Sequence, residues 1–89
     1  MTLQTATLSF LAARFPCAFE EPVLLTRLNR SGAMDEPATA EALHATLVLL
    51  CSRFRQAEVL TDADGTQAWS ATPVGVSAWT ALNRPVVGG

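Results

Sequence analysis

The chain has 89 residues, enough for one domain and too few for two. Hydrophobic residues make up 49% of it and charged residues 16%, which supplies a core and excludes a disordered chain. Six arginines, no lysine and eight acidic residues leave a net charge of −2, without the basic run expected of a nucleic-acid or anionic-membrane binder.

Residues 3–15 open with Leu3, Ala6, Leu8 and Phe10 in rough alternation with polar neighbours, a pattern that suits a strand. Leu3 is out of phase, so an amphipathic helix competes, and Pro16 interrupts either element. Val23–Leu28 follows Pro22 and precedes Ser31-Gly32. It reads as a short strand, or as a helix with proline in its first turn and glycine just past its end.

The clearest helix runs from about 37 to 55. Pro37 suits a first helical position, and Asp35 and Glu36 favour the positive end of the helix dipole. Leu43, Leu47, Leu50 and Phe54 recur at helical spacing and predict one core-facing stripe. Glu41, Ala45, Val48, Leu49 and Ser52 fall on the opposite side. Val48 and Leu49 are unusual for a solvated face, and they point to a partner surface or to burial on more than one side.

Glu58–Thr61 and Thr66–Ser70 flank Asp62-Ala63-Asp64-Gly65, which predicts a hairpin with glycine at a turn position requiring positive φ. Thr72-Pro73-Val74-Gly75 is a second breaker. Residues 76–82 permit a last strand, and a helix capped by Thr72 fits almost as well. Arg84-Pro85 leads into Val86-Val87-Gly88-Gly89.

Few side chains point to chemistry. Glu41-x-x-His44 is a single copy of a motif that binds metal in pairs, and no second histidine exists, so no metal site is expected. Asp62-x-Asp64-Gly65 lacks the later ligands of a calcium loop and reads as a turn. Cys17 and Cys51 form neither a disulfide framework nor a metal knuckle and read as reduced, partly buried apolar residues. Neither has an oriented base. Trp69 and Trp79 read as core or interface. No apolar run reaches the roughly 18 residues of a membrane helix, and the start lacks a signal-peptide pattern. A cytoplasmic protein with no membrane partner is expected.

The ending Pro85-Val86-Val87-Gly88-Gly89 resembles the Pro-x-x-Gly-Gly tail of the ubiquitin-like sulfur carriers, the group that includes the small subunit of molybdopterin synthase and the thiamine sulfur carriers. Leu8–Phe15 is similar to that family's first strand and following turn, and Ala38–Leu43 to the start of its long helix. The resemblance implies an α+β fold of β-grasp type, with a mixed four- to five-stranded sheet packed on one main helix at about 37–55. It implies a globular domain over 1–84 and a flexible tail over 85–89. It also implies that the Gly89 carboxylate is the reactive group, adenylated at the expense of ATP by a ubiquitin-activating-type adenylyltransferase and then converted to a thiocarboxylate. Pro85, Val86, Val87 and Gly88 would thread into a sulfur-accepting synthase subunit that builds a molybdopterin-like cofactor. The carrier would be a co-substrate rather than a self-sufficient enzyme, with no bound cofactor and no nucleic-acid partner.

A second arrangement accounts for the same sequence. Helices at 3–15, 22–31 and 37–55, a hairpin at 57–71 and a closing helix give the order of a winged helix, and Thr72-Pro73-x-Gly75 resembles the end of the wing in small bacterial regulators. Its presumed recognition helix would show Ala45, Val48, Leu49 and Ser52 outward, where base readers carry Arg, Lys, Asn or Gln. This alternative is therefore a transcriptional regulator or, more easily, a protein-interaction module that dimerises through Val48 and Leu49.

Overall fold

A computed structural model describes residues 1–82. The tail assigned to Pro85, Val86, Val87, Gly88 and Gly89 lies outside the described residues. The described chain is α+β, with helices α1 (Leu3–Ala13), α2 (Glu21–Ser31), α3 (Ala40–Ser52) and α4 (Pro73–Leu82). Strands β1 (Ala57–Thr61) and β2 (Gln67–Ala71) lie between α3 and α4. The element order is the one the winged-helix alternative anticipates. The expected sheet of four to five strands is not what the described residues form: they make one two-stranded antiparallel sheet.

The strand reading of 3–15 fails for a physical reason. In α1, Ala6, Thr7, Leu8, Phe10, Leu11 and Ala12 are all buried. A helix covered on several sides carries no polar stripe, so its 3.6-residue period is invisible in the sequence. Thr7 tolerates this burial because its hydroxyl donates to the Leu3 carbonyl at 2.7 Å. Thr2 caps the helix by accepting from the Thr5 amide.

The segment at 22–31 is likewise a helix. Pro22 sits in its first turn, and Gly32 ends it in the left-handed region at φ 69°. Leu24 and Leu28, one turn apart, face the core. Asn29 then fixes the connection to α3, since its side chain accepts from the Ala38 amide at 2.8 Å and donates to the Ala38 carbonyl at 3.1 Å.

Helix α3 starts at Ala40 rather than Pro37, because Thr39 is its cap and accepts from the Ala42 amide. Leu43, Leu47 and Leu50 are fully buried, as their spacing predicts. Phe54 does not continue the stripe. The helix closes at Ser52, Arg55 adopts φ 55°, and Phe54 is left exposed.

The hairpin pairs Ala57 with Ala71 and Thr61 with Gln67. Gly65 takes φ 88° in the turn, and Asp64 accepts from the Thr66 amide at 3.0 Å. That hydrogen bond favours the ionised carboxylate and holds the Asp64 pKa below its ordinary value. Phe19, between α1 and α2, adds a short antiparallel bridge to Trp69 through hydrogen bonds of 2.8 and 2.7 Å.

Residues 76–82 belong to α4, not to a last strand. Thr72 decides this. Its hydroxyl accepts from the Gly75 amide and donates to the Arg55 carbonyl, and its amide donates to the Gln56 carbonyl. The loop that ends α3 and the start of α4 are thereby joined. One core unites the elements through Phe10, Leu11, Leu24, Leu28, Leu47 and Trp69, among others.

Candidate interaction surface

Helix α3 is amphipathic in a restricted sense. Its inner stripe of Leu43, Leu47 and Leu50 is buried, and its outer face presents Glu41, Ala45, Val48, Leu49 and Ser52 to solvent. Val48 is 42% exposed and Leu49 37%. Among the described residues, nothing buries these two side chains fully. No arginine, lysine, asparagine or glutamine occurs in α3. The face can bury apolar area against a partner, and it cannot make bidentate contacts to base edges. The hairpin contributes exposed Val59 and Leu60 as well.

His44 is placed differently from the sequence pairing with Glu41. Its Nδ1 lies 3.0 and 3.1 Å from the two carboxylate oxygens of Glu21 on α2. An ionised carboxylate only accepts, so Nδ1 carries the proton in this contact. The indole Nε1–H of Trp69 donates to the same Glu21 carboxylate at 3.2 Å. Glu21 thus ties α2, α3 and β2 together. Sequence spacing could not have found this triad, because its members lie 23 and 48 residues from Glu21. No group of three metal-ligating side chains occurs among the described residues.

The other expected residues separate. Trp69 is buried in the core, and Trp79 packs against it half-buried. Cys51 is half-buried as expected, but Cys17 is exposed, because the chain after Pro16 runs over the surface before it reaches the sheet. The arginines, scattered in sequence, are partly gathered in space: Arg14, Arg27 and Arg30 line one cavity between α1 and α2. No described helix is long and apolar enough to cross a membrane. No protein-family model, curated protein or solved structure matches the chain.

Proposed function

We propose that this chain is a winged-helix protein-interaction module whose α3 outer face associates with a second copy of itself. The fold assignment is supported by three helices, a hairpin, a closing helix and the single Phe19–Trp69 bridge beside the hairpin. One observation carries the functional reading: the position of a recognition helix is held by a helix with exposed Val48 and Leu49 and no base-reading side chain. The net charge of −2 opposes the phosphate neutralisation that DNA binding requires.

Sedimentation equilibrium tests the proposal. The wild type should self-associate reversibly, and Val48→Asp with Leu49→Asp should be monomeric with an unchanged circular dichroism spectrum. Both residues are partly exposed in the monomer, so the unchanged spectrum checks that the fold tolerates the aspartates, and the mass reports the association. A wild type that stays monomeric at every concentration, and binds duplex DNA in a salt-sensitive way, would replace this reading with the regulator.

The sulfur-carrier function remains a separate proposal, carried by Pro85-Val86-Val87-Gly88-Gly89. A β-grasp frame needs more strands than the two between α3 and α4, and α4 rather than a strand leads toward those residues. Incubation with ATP, a ubiquitin-activating-type enzyme and a sulfur donor, followed by intact-mass measurement, tests it. A carrier exchanges one carboxylate oxygen for sulfur at Gly89, and a chain without Gly89 does not.

A further inference from the structure

A groove between α1 and α2 carries a charge pattern that the α3 face does not use. Its middle is a cavity of about 350 Å³ lined by Phe10, Arg14, Arg27, Arg30 and Ser31. Half of the chain's six arginines meet there. None of the three has a carboxylate within ion-pair distance among the described residues, where the one such pair is His44 with Glu21. In a chain with more acidic than basic residues, three cations gathered without a carboxylate partner among the described residues create a local positive field.

One guanidinium group is held in place, and a second lies near a ring. Arg14 lies over the Phe10 ring at 3.8 Å from its centroid, and Arg27 lies over the Phe19 ring at 5.8 Å. The two rings meet edge to face with centroids 5.2 Å apart. The contacts run in the order Arg14, Phe10, Phe19, Arg27, with the two rings edge to face. Stacking restricts the arginine rotamers before any ligand arrives and leaves planar N–H groups for carboxylate recognition. Arg14 spends one N–H on the Phe10 carbonyl at 3.2 Å, which fixes it further.

Further cavities adjoin the central one on both sides, the one toward the start of α2 lying along the face of α2 alone. Toward the start of α2, a cavity of about 330 Å³ shares Arg27 and Arg30 and adds Pro22, Val23 and Thr26. Toward α4, a cavity of about 290 Å³ shares Phe10, Arg14 and Ser31 and adds Ala6, Leu28 and Trp79. Toward α2 the surface is mixed, with Pro22 and Val23 beside Arg27 and Arg30; the centre is cationic; toward α4 it is apolar. A free phosphate would fill the centre alone, and a nucleic acid backbone would present charge at the apolar end toward α4. An extended peptide with acidic residues between apolar ones matches all three compartments.

We propose that the α1–α2 groove binds an acidic segment of a partner protein, with carboxylates on Arg14, Arg27 and Arg30 and apolar side chains in the flanking cavities. The site rests on the protein-interaction reading and adds to it a partner other than a second copy.

Fluorescence anisotropy on the full chain at low ionic strength tests the site. The probe is a short labelled peptide with a central run of glutamates flanked by leucines, and its control has glutamines in their place. The glutamate peptide should bind at least about tenfold more tightly than the control, and the preference should shrink as salt is added. Arg27→Gln with Arg30→Gln, two exposed positions outside the core, should weaken the glutamate peptide by about tenfold or more with unchanged circular dichroism. Equal binding of the two peptides, or equal affinity of the double variant, overturns the groove assignment. So does displacement of the peptide by a duplex DNA at matched charge. Sedimentation of the same samples separates the two readings: self-association through α3 that persists without peptide binding refutes the groove and leaves the module standing.

Discussion

Gly75 is fixed by distance rather than by flexibility. A Cβ built on it would lie 2.1 Å from the Gln56 carbonyl oxygen and 3.0 Å from its carbon. These are backbone atoms, so no side chain can rotate away. The first turn of α4 is pressed against the loop between α3 and β1 because Thr72 hydrogen-bonds to Arg55 and Gln56 on that loop. Gly75→Ala must push the two segments apart and lose those bonds. It should destabilise the chain by about 3 kcal/mol, at the upper end of ordinary overpacking. Urea unfolding measures this, and a loss under about 1 kcal/mol would mean that the contact relaxes freely. Thr72-Pro73-x-Gly75 was visible in the sequence as a breaker. Its reason was not, because the clash partner Gln56 lies in another loop.

At the scale of elements, Glu21 holds three pieces with one carboxylate. His44 is largely exposed, with 60% of its side chain in water, whereas Trp69 is 5% exposed. This difference ranks two substitutions. His44→Ala removes a solvent-screened pair and should cost under about 1 kcal/mol. Glu21→Ala also strands the buried indole N–H of Trp69, and an orphaned buried donor costs about 1–3 kcal/mol. Thermal unfolding followed by tryptophan fluorescence should therefore show Glu21→Ala as the more damaging change, and the reverse order would sink the assignment. Elements differed in legibility for a related reason. The α3 stripe and the Asp-Gly hairpin were readable because each signal is local. Helix α1 was not, since burial of Ala6, Thr7, Leu8, Phe10, Leu11 and Ala12 erases the polar face that would mark its period. Val48 and Leu49 stood out as misplaced apolar residues, while the convergence of Arg14 with Arg27 and Arg30 needed the α1–α2 packing before it existed at all.

The whole molecule is organised around α1, which packs against α2, α3, α4 and β2. A short chain with a hub of this kind has little redundancy. Total stability for a domain of this length is on the order of 4–13 kcal/mol. Leu11 is fully buried near the middle of α1, within the core that joins all the elements. Leu11→Ala should remove about 3 kcal/mol through lost burial and a residual cavity. At about 4–8 °C per kcal/mol for a domain of this size, its unfolding midpoint should fall by more than about 12 °C. The same hub requires the loss to be global. Circular dichroism at a helix wavelength and fluorescence from Trp69 on β2 and Trp79 on α4 should report one shared midpoint, because α1 packs against all of the other helices and β2. Separate midpoints for the helix and tryptophan signals would show that α1 does not couple the molecule. The α3 face and the α1–α2 groove would then have to be treated as surfaces of independently folding parts.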